Sequence, residues 1–266
     1  MQPFASCPVA RLSAVRGILT DIDDTLTGDG AIAPVALQAL HALHESRVPV
    51  IAITGRPAGW SEPFALQWPV RAIVAENGAV MLRAQGGELR RDFTQDADTR
   101  AANFARLQRC AEGVLAELPG TRLATDSAGR LTDIAVDHSE FAHLDEAQIA
   151  QVVALMRSHG LHATVSSIHI NGWIGEHSKW TAASWAVQTA LGEVFAAEDW
   201  LYVGDSTNDQ LMFQRVPLSV GVANIRRFVP QLSCLPAYVT EAERGEGFAE
   251  VARALLRARQ VTSARA

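Results

Sequence analysis

Three carboxylates stand close together near the start of the chain, where residues 21–26 read DIDDTL. They follow an apolar, β-branched run, so we expect them at the carboxyl end of a strand, where open parallel sheets bind ligands. Crowded carboxylates repel one another unless a cation or a proton compensates their charge. A hard cation such as Mg²⁺ prefers oxygen ligands and keeps waters that a substrate phosphate can replace. The run therefore predicts a magnesium site that binds phosphate, and the alternative is an acidic turn that caps the next helix.

A second acidic segment follows the predicted strand at 200–204. Asp205 comes directly after this strand, and Asp209 stands about one helical turn further on. We expect Asp205 to complete an oxygen-rich metal site with Asp21 and the backbone carbonyl of Asp23, while Asp209 orients metal-bound water. Taken alone, the segment is equally typical of a loop with a helix cap.

Candidate phosphate donors occur at two further places. Residues 54–56 read TGR after a predicted buried strand at 48–54, and the Thr54 hydroxyl and the amides of such a turn can hold phosphate oxygens. Lys179 begins a predicted helix and is the only lysine of the chain. Thr-Gly turns are common and a lone lysine is usually a solvated surface charge, so each signal is weak by itself.

The elements that must position these residues follow an α/β pattern. Strand-like and helical runs alternate in residues 1–83 and again in 176–266, which is typical of a parallel sheet covered by helices. Residues 84–175 differ, and we interpret them as an inserted α+β domain of roughly 90 residues. The insert is predicted to contain two helices, at about 96–118 and 145–159, and two strands, at 131–137 and 162–170.

Composition limits the class of protein. The 266 residues are 48% hydrophobic and 20% charged, a composition that is typical of a globular protein. The formal net charge is −6, and the sequence has no cluster of basic residues of the kind that forms the basic face of a nucleic-acid-binding protein. No apolar run approaches the roughly 18 residues that span a bilayer. Cys7, Cys110 and Cys234 are far apart, which argues against a disulfide framework and a cysteine zinc site. Residues 1–17 lack the apolar centre of a signal peptide. We expect a cytoplasmic protein without nucleic-acid or membrane partners, either monomeric or homodimeric.

The order of these signals along the chain resembles the haloacid-dehalogenase superfamily of phosphohydrolases, from about residue 16 to about residue 250. The first of its four motifs is matched by Asp21, Asp23 and Thr25, the second by Thr54 and the third by Lys179. The fourth motif, an acidic loop, is matched by Gly204, Asp205, Asn208 and Asp209. The insert, with residues 76–79 and 245–247, resembles the α/β type-two cap subgroup that contains sucrose-phosphate and mannosyl-phosphoglycerate phosphatases. One departure is Asp24, where many relatives carry glycine.

The resemblance implies a Rossmann-like core with an inserted cap, and a Mg²⁺-dependent phosphohydrolase acting on a small phosphorylated metabolite, by analogy a sugar phosphate. Asp21 would attack phosphorus and form an aspartyl-phosphate. Asp23 would protonate the leaving alcohol and then deprotonate water. Catalysis is assigned to Asp21, Asp23, Thr54 and Lys179, phosphate and substrate binding to Thr54, Gly55, Arg56, Lys179 and Asn208, and metal binding to Asp21, Asp23, Asp205 and Asp209.

The cap is expected to contact the leaving group through residues late in the insert. The candidates are His169, Asn171 and Trp173, and His169 and Asn171 lie two positions apart, so they share one face of a strand. The alternative is that these polar residues form a solvated sheet face.

Two other functions remain open from the sequence. A phosphomutase or phosphotransferase would pass the phosphoryl group of the same intermediate to an alcohol, and we favour hydrolysis because Asp23 then needs only water. A phosphate-sensing protein without turnover would be expected to have lost a residue of the set Asp21, Asp23, Lys179 and Asp205, which is intact.

Overall fold

A computed structural model describes residues 1–263, so residues 264–266 of the predicted core lie outside the described part. In chain order its strands are β1 (Gln2–Pro3), β2 (Gly17–Thr20), β3 (Thr27–Gly28), β4 (Ala31–Ile32), β5 (Val50–Ile53), β6 (Ala72–Ala75), β7 (Val80–Gln85), β8 (Glu88–Phe93), β9 (Asp133–Asp137), β10 (His162–Val165), β11 (His169–Trp173), β12 (Trp200–Gly204), β13 (Leu218–Gly221) and β14 (Tyr238–Val239). Its α-helices are α1 (Val9–Ser13), α2 (Pro34–Glu45), α3 (Ala58–Gln67), α4 (Ala97–Glu117), α5 (Glu146–Ser158), α6 (Lys179–Leu191), α7 (Gln210–Arg215) and α8 (Arg244–Ser263).

The core is a nine-stranded sheet in the order β1-β14-β13-β12-β2-β5-β6-β7-β8. All neighbours are parallel except the pairs β6–β7 and β7–β8, which are antiparallel. The small hairpin of β3 and β4 follows β2 outside this sheet. The predicted α/β class with a parallel-sheet core is confirmed.

Helices cover both faces of the core sheet because its central strands are apolar on both sides. In β5, Val50 and Ala52 contribute to the hydrophobic cluster that includes α2 and α8, whereas Ile51 and Ile53 contribute to the cluster that includes α6 and α7. Successive side chains of a strand point to opposite faces, so one four-residue strand supplies both layers. The continuous apolar run at 48–54 is explained by this double burial.

The cap is a three-stranded antiparallel sheet in the order β10-β11-β9, with α4 and α5 against one face. The prediction of a single strand over 162–170 is wrong, because β10 ends at Val165 and β11 begins at His169. Ser166 closes the turn between them: its backbone N–H donates to His169 O at 2.8 Å, and its hydroxyl accepts from His169 N at 3.0 Å.

The hairpin of β7 and β8 extends the core sheet, so the predicted boundary between residues 83 and 84 falls inside β7. Its turn lies at Gly86 and Gly87, whose φ angles of +64° and +84° favour glycine. The cap helices and sheet occupy residues 97–173, and the chain returns to the core at α6. Within residues 1–263, no helix combines the length and the apolar character that crossing a membrane requires.

Candidate active site

Three predicted site residues follow three adjacent parallel strands of the core. Asp21 follows β2, Thr54 follows β5 and Asp205 follows β12, and β2 pairs with both of the others. All three side chains are buried. The strand ends of the sheet therefore bring together residues that are far apart in sequence, as the motifs predicted.

Lys179 is a buried member of this site. Its Nζ lies 2.9 Å from Asp21 Oδ2 and 2.7 Å from Asp209 Oδ1, and its side chain is 3% exposed. Burial alone would lower the pKa of Lys179, but the two carboxylates outweigh it and raise that pKa above its ordinary value. The sequence-based alternative of a solvated surface charge is wrong for this lysine. Lys179 is the first residue of α6, and the preceding Ser178 caps this helix by accepting from Thr181 N.

Asp21 is the least solvated of the acids in residues 21–24, with 3% exposure. Burial raises its pKa to about 7, while the ammonium of Lys179 acts in the opposite direction. A nucleophilic carboxylate must be ionised, so a further cation beside Asp21 would favour its reactive form.

Asp209 has a protein donor at every acceptor position. Its Oδ1 accepts from Lys179 Nζ at 2.7 Å and from the hydroxyl of Tyr202 at 2.5 Å. Its Oδ2 accepts from the backbone N–H groups of Asp205 at 2.8 Å and Ser206 at 3.1 Å. A Cβ at Gly204 would collide with this carboxylate, which explains the glycine before Asp205. We infer that Asp209 fixes Lys179 and the acidic loop rather than binding an ion directly.

The carboxylates of Asp21, Asp205 and Asp209 offer oxygens within 4.8 Å of one another. Asp205 Oδ1 is buried and has no hydrogen-bond partner among the described residues, whereas its Oδ2 accepts from Asn224 Nδ2 at 3.2 Å. Burial and the carboxylates of Asp209 and Asp21 raise the pKa of Asp205 well above its ordinary value. A buried oxygen without a donor, in a group of acids, fits a hard divalent cation such as Mg²⁺.

The carboxylate of Asp23 lies outside this group of metal-ligating oxygens. It accepts from Nε of Arg56, at 2.9 Å to Oδ1 and 3.1 Å to Oδ2. Metal binding by Asp23 is predicted through its backbone carbonyl and stays a prediction, since the contacts of this carboxylate do not test it.

Arg56, predicted to bind substrate, is committed to protein carboxylates. Besides the contact of its Nε with Asp23, Arg56 has Nη1 3.1 Å from Asp126 Oδ2 and Nη2 3.4 Å from Glu140 Oε1. Its guanidinium also stacks over Trp60, 5.0 Å from the ring centroid. Arg56 is 5% exposed, so it joins core and cap rather than offering a free charge to a ligand.

The two predicted cap residues lie at the interface with the core. His169 Nε2 is 3.2 Å from Glu140 Oε2, and Asn171 Nδ2 donates to the carbonyl of Gly55 at 3.2 Å. His169 and Asn171 are 2% and 1% exposed, so the alternative of a solvated sheet face is wrong. Trp173 donates its Nε1–H to the carbonyl of His177 at 3.0 Å. Each has a protein partner, so direct substrate contact stays a prediction.

Two cavities open between core and cap beside the acids. One, of about 460 Å³, is lined by Lys179 and Asn208 together with Asn77, Arg157, Leu161, His162, Ala163, Thr164, Trp173, Glu176, His177, Ser178 and Leu211. The other, of about 510 Å³, is lined by Asp23 and Arg56 together with Asp24, Thr27, Asp29, Gly30, Ser139, Glu140, Phe141, Ser167, Ile168, Arg227 and Arg244.

Two features of the site were not predicted from the sequence, namely the role of Tyr202 and the arginine partners of Asp24. Tyr202 lies two positions before Gly204 and therefore on the same face of β12, a spacing that could have indicated it. Asp24 is ion-paired with Arg227 at 2.9 Å and Arg244 at 3.0 Å, and neither arginine stands in a recognisable motif.

Comparison with known proteins agrees with this geometry. The sequence model of a family described as haloacid dehalogenase-like hydrolases matches residues 18–114. A phosphoglycolate phosphatase of Methanosarcina mazei is 27% identical over 242 residues, which cover 88% of this chain and 94% of the relative.

Solved structures share the fold over nearly the whole chain. A structure from Thermoplasma acidophilum superposes with a TM-score of 0.69 at 17% identity and covers 91% of this chain and 98% of its own. The sucrose-phosphatase of Synechocystis sp. PCC6803, solved with sucrose and phosphate, superposes with a TM-score of 0.65 at 16% identity, again over 91% and 98% of the two chains. The predicted resemblance and fold are confirmed.

Proposed function

We propose that this chain is a haloacid dehalogenase-like phosphatase that hydrolyses a small phosphate monoester, with Mg²⁺, through an aspartyl-phosphate on Asp21. The observation that carries the proposal is the buried ion pair of Asp21 with Lys179, 2.9 Å apart, beside Asp205 Oδ1, which has no hydrogen-bond partner within residues 1–263. A nucleophile, a fixed cation and an unfilled oxygen ligand at one sheet edge are the components that phosphoryl transfer requires.

In the first step, an oxygen of Asp21 forms a bond to phosphorus while the bond from phosphorus to the leaving oxygen breaks. Asp23 in its acid form gives its proton to that oxygen, so the alcohol leaves uncharged. In the second step, Asp23 takes a proton from water, and the resulting hydroxide attacks phosphorus and releases phosphate and Asp21.

The remaining residues hold charge in place. Lys179 supplies a fixed positive charge for the equatorial oxygens, and the hydroxyl of Thr54 supplies a hydrogen-bond donor. Asp21 and Asp205 would hold Mg²⁺, which stabilises the negative charge of the phosphoryl group when it is bound. Burial of the site keeps water away from these groups and strengthens their interactions with phosphate.

The leaving group is expected to occupy the cavity of about 510 Å³, because Asp23 lines it. Each arginine of this cavity already has a carboxylate partner. Arg56 pairs with Asp23, Arg227 lies 2.9 Å from Asp24, and Arg244 lies 3.0 Å from the same carboxylate. A second anionic group on the substrate would have to compete with these carboxylates for the arginines, and for Arg56, which is 5% exposed, this means disturbing a buried ion pair.

This charge balance supports a neutral, hydroxyl-rich leaving group, as in a sugar phosphate. The curated relative from Methanosarcina mazei is named for phosphoglycolate, whose leaving group carries a carboxylate, and this is the second candidate substrate. The relative's name favours phosphoglycolate and the paired arginines favour a sugar, so a direct comparison of the two substrates separates the candidates.

The test is phosphate release from sugar phosphates and from phosphoglycolate, with Mg²⁺ and with EDTA. We expect metal-dependent release, with higher kcat/KM for a sugar phosphate. Formation of a sugar bisphosphate without free phosphate would instead indicate a phosphomutase. No release from any compound, together with no phosphorylation of Asp21, would contradict the proposal.

A further inference from the structure

The backbone carbonyl of Gly55 is bound by two side chains of the cap. Arg130 Nη1 donates to it at 3.0 Å, and Asn171 Nδ2 donates to it at 3.2 Å. Gly55 belongs to the phosphate turn, residues 54–56, which lies on the core. The cap therefore makes direct hydrogen bonds to the backbone of the segment that is expected to hold phosphate.

The two cap donors are themselves fixed by a buried carboxylate. Asp133 accepts from Arg130 Nη1 at 2.8 and 2.9 Å and from Asn171 Nδ2 at 3.4 Å. All three side chains are nine-tenths or more buried. We call Arg130 and Asn171, the two cap donors to the Gly55 carbonyl, the clamp. A Cβ at Gly55 would lie 3.1 Å from Asn171 Oδ1 and 3.2 Å from Asn77 Oδ1, so a side chain at this position would push the clamp away.

The clamp acts on the peptide unit that orients Thr54. A peptide group is planar and trans, so the carbonyl of Gly55 and the N–H of Arg56 point in opposite directions. With the carbonyl held by the cap, this N–H donates to Thr54 Oγ1 at 3.0 Å. Because Oγ1 accepts that bond, the hydroxyl hydrogen stays available for a phosphate oxygen.

The other two carbonyls of the turn are held by the core. Thr54 O accepts from Asn77 N at 2.9 Å, and Arg56 O accepts from Glu76 N at 3.0 Å. Only the central carbonyl depends on the cap. The conformation of the turn is therefore completed when the cap lies against the core.

We propose that Arg130 and Asn171 are positioning residues through which the closed cap sets Thr54 for phosphate binding. The proposal rests on the proposed function, since it assumes that residues 54–56 bind the phosphate of the substrate. It assigns Asn171 to the phosphate end of the site and not to recognition of the leaving group. Cap closure and phosphate binding are then linked, so each favours the other.

The test is the affinity for inorganic phosphate, measured by calorimetry with Mg²⁺ for the wild type, Asn171→Ala and Thr132→Val. Thr132 is a matched control, because it is buried at the same interface and its hydroxyl donates to Glu76 and not to the turn. Asn171→Ala should weaken phosphate binding about tenfold, as loss of one positioned hydrogen bond allows. Thr132→Val should keep the wild-type affinity.

Two further measurements separate positioning from a general structural role. In a Thr54→Val background, Asn171→Ala should cause no additional loss of phosphate affinity, because it acts through the missing hydroxyl. Arg130→Lys, which has no second nitrogen to keep the contact that Arg130 Nη2 makes with Asp126, should give an intermediate loss. Across a substrate panel, Asn171→Ala should lower kcat/KM by one common factor.

Unchanged phosphate affinity in Asn171→Ala, full additivity with Thr54→Val, or altered selectivity between leaving groups would overturn the inference. A wild type that binds phosphate but hydrolyses no monoester would contradict the proposed function alone. A wild type that binds no phosphate would overturn both.

Discussion

Arg56 donates from Nε to both carboxylate oxygens of Asp23, at 2.9 and 3.1 Å. The same guanidinium reaches Asp126 and Glu140 of the cap. The carboxylate proposed to exchange protons with the leaving group and water is thus tied, through one side chain, to the position of the cap. The placement of the acid therefore depends on contact between the cap and the core.

Arg56→Met should destabilise the fold by about 2–4 kcal/mol, because three partly buried carboxylates lose their shared cation. The loss is measured by urea unfolding. Glu140→Gln is the control: its side chain is 24% exposed and it removes one partner only, so its effect should stay below about 1 kcal/mol. Equal losses in the two variants would show that Arg56 does not hold the network together.

Asp21→Asn should lower turnover at least about 10³-fold while the fold is kept, because an amide oxygen cannot form the acyl phosphate. Steady-state phosphate release measures the loss. Asp98→Asn, an exposed acid on α4, should retain full activity. Substantial turnover in Asp21→Asn would exclude Asp21 as the nucleophile.

Mg²⁺ should stabilise the wild type, by about 2.7 kcal/mol at one hundred times its Kd, because it binds only the folded chain. Asp205→Asn should remove this gain. In EDTA the same variant should be as stable as the wild type or more stable, since it removes a buried carboxylate oxygen that has no partner in the described part of the chain. Thermal unfolding of the wild type and of Asp205→Asn, with Mg²⁺ and with EDTA, measures both effects. If Mg²⁺ stabilises Asp205→Asn as much as it stabilises the wild type, Asp205 is not a ligand.

Acid should destabilise the protein through His177. Burial lowers the pKa of this histidine to about 4, with a smaller contribution from His162. The unfolded chain takes up a proton near pH 6.5 and the folded chain only near pH 4, so stability is kept above 6.5 and falls below it.

Between pH 7 and pH 5 this loss should reach about 2 kcal/mol, measured as the change in the free energy of unfolding in urea. His177→Leu should reduce the acid sensitivity, whereas His41→Gln, at an exposed position, should leave it unchanged. The same pH dependence in His177→Leu as in the wild type would contradict the assignment.

The acids, the threonine and the lysine of the site could be predicted from sequence because a parallel sheet gathers its strand ends at one edge. Asp21, Thr54 and Asp205 each follow a short apolar run, so their meeting depends only on that rule. Lys179 could also be predicted without knowing its contacts, because it is the first residue of the helix at which the alternation of strands and helices of the core begins again after the insert.

The contacts between core and cap could not be predicted in the same way. Arg130 binds Gly55 across 75 positions, and Glu76 binds Thr132 across 56, so both depend on how two domains dock. Strand β8 was not predicted, because it is rich in charged residues and none of its residues is buried; its backbone pairing with β7 identifies it as a strand.

Because Lys179 is the only lysine and is buried, a protease that cleaves solely after lysine has one site in the whole chain, and the folded core covers it. Cleavage then requires local opening at the amino terminus of α6, where the ammonium is held between Asp21 and Asp209. When opening and reclosing are fast, the cutting rate follows the open population. A single proteolytic cut into two fragments therefore reports the free energy of opening at this site, and bound phosphate would be seen as protection.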